Sequence, residues 1–131
     1  QNRSQLVRIP AASGERIRME LRSPDPAVNP YLAFALILAA GLAGIEQNLP
    51  LPPAVDLDLY KADPSMTRTL VLLPSSLEEA VELAQSSELV REIIGEELLS
   101  DYIAIKKQEA AACAAAEDKL AFYRQQYFRR I

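Results

Sequence analysis

Residues 29–45 have the sequence NPYLAFALILAAGLAGI, in which no side chain carries a charge. The other predicted elements precede or follow this stretch. An asparagine followed by proline predicts a helix N-terminus, because asparagine caps helices and proline fits the first helical position. Gly44 or Asn48 would end the helix. A helix that is apolar on all sides has to be covered on most of them, so we predict a buried helix over residues 29–46. The run from Tyr31 to Ile45 is shorter than the roughly 18–20 residues that cross a bilayer, and we predict no membrane segment.

Two strand candidates precede this helix, at residues 5–10 and 16–22. The second alternates charged and apolar residues with period 2, which is typical of a strand with one buried face. A Ser-Gly pair between the candidates favours a turn, and the prolines of SPDP end the second strand because proline cannot donate to a ladder. We therefore predict an antiparallel β-hairpin within residues 1–26. The two faces of its second strand carry Arg16, Arg18, Glu20 and Arg22 on one side and Ile17, Met19 and Leu21 on the other.

The rest of the chain is predicted to be irregular first and helical afterwards. Five prolines punctuate residues 47–74, which we predict to be an irregular loop that holds Tyr60 within an acidic tract. A serine pair caps the first helix of residues 75–131, and Gly95 separates a short helix from a long one that we expect to run through about Tyr127. The predicted fold class is thus α+β, mostly α-helical with an N-terminal antiparallel β-hairpin.

Composition excludes several classes of function. The 131 residues are 50% hydrophobic, which is sufficient for one domain with its own core. The chain has no histidine, so histidine-based catalytic triads and histidine metal sites are excluded. A net charge of −4 disfavours a general nucleic-acid binder, and we predict no nucleic-acid partner. The single cysteine, Cys113, cannot form an intramolecular disulfide and fits a reducing compartment, so we expect a cytoplasmic protein.

The charged face of the hairpin is the feature that carries chemistry. Arginines lie on or beside both strand candidates, namely Arg3, Arg8, Arg16, Arg18 and Arg22. Several guanidinium groups around one carboxylate, here Glu20, bind phosphate or carboxylate groups in forked geometry. The carboxylate is itself an oxygen ligand suited to a divalent cation. The same residues also fit a solvated face whose surface ion pairs contribute little, and the pattern by itself leaves both interpretations open.

Three motifs stand in order within the first 45 residues. They are NRS and RIP within residues 2–10, ELRSPDP at residues 20–26 and NPYLAFA at residues 29–35, followed by AGLAGI at residues 40–45. Together with LPSSLEEA at residues 73–80 and the helix from Tyr102 to Glu109, they resemble the C-terminal part of the glutamine synthetase family. The resemblance implies that residues 1–131 are the C-terminal portion of a catalytic domain whose larger antiparallel sheet includes the hairpin. Because the first residue is Gln1 and not methionine, we expect a fragment.

The resemblance also implies a reaction and the residues that perform it. Members of the family are ATP-dependent glutamate–ammonia ligases, which make glutamine through γ-glutamyl phosphate. Arg3 resembles the arginine near glutamate and the transferred phosphate, and Arg22 resembles the one that contacts the reacting group, so both are catalytic and substrate-binding candidates. Arg8 resembles an arginine at the nucleotide phosphates. Glu20 resembles the carboxylate that binds Mg²⁺ or Mn²⁺ between the phosphates of ATP.

The chain departs from the family pattern in what it lacks. The family's further carboxylate ligands, its metal-binding histidine, the acidic residue that deprotonates ammonium and the glutamate-bearing flap have no counterpart here, so we predict that the isolated chain is inactive. The implied partners are the remainder of the catalytic domain, an N-terminal domain and further copies in a homo-oligomer. Two alternatives stay open. One is a stand-alone, non-catalytic interaction or regulatory domain related to the family, and the other is a ligase that joins glutamate to another amine.

Tyr60 belongs to the tripeptide DLY, at a place that resembles the loop where some bacterial members carry an adenylylated tyrosine. The following KADP matches that loop only in part. The resemblance implies a modification site at Tyr60, and the alternative is an aromatic side chain that anchors the loop.

Overall fold

The structure, a computed structural model, describes residues 4–55, 57–68 and 70–128. The chain forms two compact units, of which the first comprises Gln1–Asp25 with Pro50–Leu73 and the second Pro26–Leu49 with Pro74–Ile131. Within the described residues the first unit holds a two-stranded antiparallel sheet and one short helix, and the second holds five helices. The predicted α+β class, mostly α-helical with an N-terminal antiparallel hairpin, is therefore confirmed.

The hairpin of the first unit is shorter than predicted. Strand β1 (Val7–Arg8) pairs with strand β2 (Glu20–Leu21), and one further hydrogen bond, from Arg22 N to Leu6 O at 2.9 Å, extends the ladder. The prediction of a second strand from residue 16 onward is wrong at its start, because a 3₁₀ turn occupies Gly14–Arg16. The predicted apolar face is uncovered as well, since Ile17 and Met19 are more than 60% exposed. A lone two-stranded ribbon has no second layer on which to extend or bury a face.

The second half of the first unit is not wholly irregular. A one-turn helix, α2 (Pro64–Thr67), interrupts the segment that we predicted as an irregular loop. Asp63 caps it by accepting a hydrogen bond from Ser65 N at 2.8 Å, and proline supplies the first helical position. The loop is tied to the approach of β1, because Ser4 Oγ accepts a hydrogen bond from Leu59 N at 3.0 Å.

Helix α1 (Pro30–Glu46) opens the second unit and begins as predicted. The side chain of Asn29 accepts hydrogen bonds from the backbone amides two and three residues later. At the C-terminus Asn48 takes a positive φ of 50° and donates to Ile45 O, while Leu49 N donates to Gly44 O. This pair of bonds satisfies carbonyls that the helix would otherwise leave open, so Asn48 and not Gly44 is the stop.

The predicted burial of residues 29–46 is wrong for this chain. Helix α1 contains no buried residue, and its large side chains stand open to solvent: Tyr31 is 84% exposed, Phe34 70%, Leu38 66% and Ile45 74%. A helix that is apolar all round needs neighbours on most sides. Within the second unit, the helix packs against one other helix, α4 (Glu88–Ile94).

The remaining helices of the second unit are α3 (Leu77–Ser86), α4, α5 (Glu96–Ala115) and α6 (Lys119–Tyr127). Ser76 caps α3 by accepting from Glu79 N at 3.1 Å, which confirms the predicted start. Gly95 separates α4 from α5 with a φ of 85°, as predicted for a glycine break.

The predicted single helix from about residue 96 to Tyr127 is wrong, because the structure divides it in two. Ala116 takes an extended conformation that ends α5, and Asp118 then caps α6 by accepting from Ala121 N at 3.0 Å. A capping aspartate favours a new N-terminus over continuation of the helix, and alanine propensity does not outweigh it.

The core of the second unit lies between α3 and α5. Val81, Leu99 and Ile103 are buried there, and four partly buried side chains surround them: Leu77, Ala84, Val90 and Ile94. Leu77, Val81 and Ala84 of α3 thus face this core. No helix among the described residues is long and apolar enough to cross a membrane.

Leu99→Ala should lower the free energy of unfolding by about 2–4 kcal/mol, because it removes buried methyl groups and leaves a cavity in this core. The matched control is Leu98→Ala, since Leu98 is the adjacent leucine of α5 and is 50% exposed. We expect the control to lose less than about 1 kcal/mol. Urea unfolding followed by far-UV circular dichroism measures both variants, and equal losses would contradict the placement of the core.

Candidate anion-binding site

The register of the hairpin brings two oppositely charged side chains together. Arg8 of β1 stands directly opposite Glu20 of β2 in the ladder. Side chains of opposed residues lie on the same face of a sheet and are close enough to interact. Arg8 Nη1 donates to Glu20 Oε2 at 3.1 Å.

Two further arginines reach the same carboxylate from either side of β2. Arg18 Nη2 donates to Glu20 Oε1 at 3.2 Å, and Arg22 Nη2 lies 3.7 Å from Glu20 Oε2. Period 2 places all three residues of this strand segment on one face. We call Arg8, Arg18, Glu20 and Arg22 the arginine cluster.

The cluster is electropositive although it contains a carboxylate. Three guanidinium groups and one carboxylate give it a net charge of +2. Partial burial raises the pKa of Glu20, but the charges and hydrogen bonds of Arg8 and Arg18 together lower it by more, so that its pKa lies below the ordinary 4.5. The carboxylate is therefore ionised at neutral pH and still leaves an excess of positive charge.

The cluster is open to solvent. The side chains of Glu20 and Arg22 are 32% and 28% exposed, and those of Arg8 and Arg18 are more exposed. Exposed ion pairs of this kind contribute little to stability. Arg8 and Arg18 can thus exchange Glu20 for a ligand at small cost, which suits an anion site better than a structural brace.

An open depression adjoins the cluster. It has a volume of about 420 Å³ and is lined by Ala11, Ala12, Ser13, Arg16 and Arg18. Arg18 also donates to Arg16 O at 3.3 Å, and its side chain both lines the depression and contacts Glu20. A ligand larger than one phosphate group could therefore extend from the cluster into this space.

The donor set of the cluster does not fit a divalent cation by itself. Within the described residues no group of three or more His, Cys, Asp or Glu side chains could hold a metal ion. Glu20 is the single carboxylate of the cluster, and arginines already engage both of its oxygens. A cation such as Mg²⁺ or Mn²⁺ requires several oxygen ligands, and three guanidinium charges repel it.

The remaining predicted site residues lie apart from the cluster or outside the description. Arg3 is outside the described residues. Tyr60 is 83% exposed, and its amide donates to Asp58 Oδ1 at 3.2 Å in a local turn. An exposed ring does not anchor the loop by packing, so the structure gives no support to that alternative for Tyr60. Modification of Tyr60 stays a prediction.

Arg18 belongs to the charged face predicted for the hairpin, but the family resemblance gives it no individual role. The structure shows it in contact with one of the two Glu20 oxygens, as close as Arg8 is to the other. The period-2 alternation of residues 16–22 carries the signal that could have identified it, since it sets Arg18 beside Glu20 on the same face.

Comparisons with known proteins bear on most of the chain. The profile of the family described as "Glutamine synthetase, catalytic domain" matches residues 1–125. The chain is similar to the glutamine synthetases of Methanosarcina mazei (42% identity over 111 residues), Thermus thermophilus (40% over 110) and Mycobacterium bovis (41% over 115). These matches cover 83%, 82% and 84% of the chain, and 25%, 25% and 26% of the respective relatives. The chain therefore spans about a quarter of the length of the curated relatives it matches.

The pKa of Glu20 should lie below 4.5 when its carboxyl carbon is titrated by NMR, and Arg8→Gln should raise it because one lowering charge is lost. A folded-state pKa below the unfolded one means that the ion pairs stabilise the hairpin above about pH 4.5. That contribution is lost as the pH falls through the lowered pKa.

The control for this titration is Arg91→Gln, which removes an arginine paired with Glu96 at 2.8 Å in the other unit. It should leave the Glu20 titration unchanged. A Glu20 midpoint that does not move in Arg8→Gln would contradict the ion pair.

Proposed function

Since this chain belongs to the glutamine synthetase family, we propose that it contributes arginine residues to the active site of an ATP-dependent glutamate–ammonia ligase. The reaction forms γ-glutamyl phosphate from glutamate and ATP, and ammonia then displaces phosphate to give glutamine. The proposal includes cytoplasmic location, as expected from the single cysteine.

The observation that supports the proposal is the arginine cluster, in which three guanidinium groups lie within 3.7 Å of one carboxylate. In the first step the side-chain carboxylate of glutamate has to approach the γ-phosphate of ATP, and the two anions repel each other. Fixed guanidinium groups offset this repulsion and stabilise the charge that spreads over the phosphoryl oxygens in the transition state. A cluster with a net charge of +2 is suited to that task.

The roles that we propose for Arg3, Arg8 and Arg22 follow the family resemblance. We assign Arg22 and Arg3 to the reacting carboxylate and phosphoryl groups, and Arg8 to the nucleotide phosphates. The planar fork of arginine binds two oxygens of one phosphate or carboxylate at once, which orients the group as well as attracting it. Arg18 joins them in this proposal, because it faces the same carboxylate as Arg8.

A divalent cation, when bound, draws negative charge from the phosphates of ATP. Glu20 is the residue of this chain that we propose as a ligand for Mg²⁺ or Mn²⁺. Arginines hold both of its oxygens and no other carboxylate belongs to the cluster, so the further oxygen ligands would have to come from outside the cluster.

We propose as partners the remainder of the catalytic domain, an N-terminal domain and further copies in a homo-oligomer. Two observations support partners of this kind. The relatives are about four times as long as the matched segment, and α1 exposes a row of large apolar side chains, namely Tyr31, Phe34, Leu38 and Ile45. Exposed apolar surface of this extent favours burial against another polypeptide.

The same row of side chains favours a second candidate function, a non-catalytic interaction domain that associates with a longer member of the family. The two candidates differ in what they require of the arginine cluster. A ligase loses turnover when Arg22 is changed, whereas an interaction domain does not depend on it.

The 131-residue chain by itself should form no γ-glutamyl hydroxamate from glutamate, ATP and hydroxylamine, because the arginine cluster holds one carboxylate and cannot complete a metal site. A chimera in which this chain replaces the corresponding quarter of the Thermus thermophilus relative should form it. In the chimera, Arg22→Lys should lower kcat about 100-fold, since lysine cannot reproduce a forked contact to the reacting group.

Arg91→Lys in the same chimera is the control and should leave kcat unchanged. Hydroxamate formation by the isolated chain would refute the prediction of inactivity. A folded chimera that is inactive with Arg22 intact would favour the interaction domain.

A further inference from the structure

Glu20 is paired with the arginines that an anion would use. Its Oε2 accepts from Arg8 at 3.1 Å and its Oε1 from Arg18 at 3.2 Å, while Arg22 stands 3.7 Å from Oε2. These guanidinium groups are the ones that the proposed function assigns to phosphate and carboxylate ligands. An external anion that binds between these arginines therefore competes with the Glu20 carboxylate for their positive charge and their hydrogen-bond donors.

We propose that Glu20 is a built-in competitor for anions, an internal carboxylate that holds the arginine cluster until a more highly charged phosphate displaces it. This inference rests on the proposed function for its ligand, a phosphate group. In the absence of a cation, Glu20 then has the opposite effect on phosphate binding from the effect of a metal ligand. As a metal ligand Glu20 helps phosphate to bind, whereas as a competitor it opposes phosphate binding.

The geometry allows the displacement. The ion pairs of Glu20 are partly exposed, and such pairs are weak enough to exchange partners without disturbing the backbone. The ladder keeps Glu20 opposite Arg8 whether or not the side chains touch, so the carboxylate stays close and competes at high effective concentration. A phosphate dianion brings twice the charge of a carboxylate to the same arginines, so it displaces Glu20 more readily than a singly charged carboxylate does.

The test is the dissociation constant of inorganic phosphate at neutral pH in the presence of EDTA, measured by isothermal titration calorimetry on the 131-residue chain. Glu20→Gln should bind phosphate about three- to tenfold more tightly than the unchanged chain, because it removes three partly exposed ion pairs. The matched control is Glu15→Gln, which removes one negative charge from the 3₁₀ turn of the same unit. Glu15 takes part in no ion pair within the described part of the chain, so the control should stay close to the unchanged chain.

Weaker or unchanged phosphate binding by Glu20→Gln would overturn the proposal, and so would the absence of phosphate binding in all three chains. An equal gain in Glu15→Gln would overturn it too, since the effect would then be one of net charge alone. None of these measurements uses ATP, glutamate or turnover. A failure here is therefore distinct from a failure of the ligase assignment, which rests on the activity of the chimera.

A second measurement needs no variant. Adding phosphate to the unchanged chain should shift the NMR signals of the Arg8 and Arg18 side-chain nitrogens together with the carboxyl carbon of Glu20, because the carboxylate loses its partners. Arginine signals that move while the Glu20 carboxyl carbon stays in place would show that phosphate binds without displacing Glu20. That result would overturn the proposal even if Glu20→Gln failed to fold.

Discussion

Two pairs of opposed residues, Val7 with Leu21 and Arg8 with Glu20, hold the candidate site together. Side chains alternate between the two faces of a strand, so a slip of one residue would turn Glu20 away from Arg8 and disperse the cluster. The hydrogen bond from Arg22 N to Leu6 O adds one more point of attachment to this ladder. The positions of three guanidinium groups thus depend on very few backbone contacts, and a hairpin of this size is marginal without further layers.

A shortage of apolar cover is the second constraint on the molecule. Among the described residues only Val81, Leu99, Ile103 and Ala110 are buried apolar side chains, although half of the sequence is hydrophobic. Helix α1 is fully formed and correctly capped, yet it buries none of its residues. Exposed apolar surface of this extent favours burial against another polypeptide, and the described residues supply little to cover it.

The chemistry of the hairpin follows from an imbalance of charge. One carboxylate among three arginines leaves an excess of positive charge that attracts anions. The cluster also has too few oxygen ligands to bind a divalent cation by itself. The same imbalance makes Glu20 interact with its neighbours before any ligand arrives. A residue that the family resemblance connects with metal binding therefore has, in this structure, arginine as its partner.

The sequence by itself determined the elements whose signals are local. Helix ends are marked by capping side chains at Asn29 and Ser76 and by residues of positive φ at Asn48 and Gly95. Each of these effects acts within a few residues. The sequence did not predict the break between α5 and α6 at Ala116, because a single capping aspartate, Asp118, competes there with a long run of strong helix formers. The ordered motifs also determined the family, since they identify it without any structure.

Only the tertiary structure decided which groups meet. Period 2 indicated that Arg18, Glu20 and Arg22 share a face, but the partner of Glu20 across the ladder is 12 residues away in the sequence. The pairing register of the two strands brings these two residues together, and local propensity does not encode that register. Burial was also decided by the tertiary structure. An apolar sequence predicts that a helix is buried against other elements, but only the packing of the chain shows whether those elements are present.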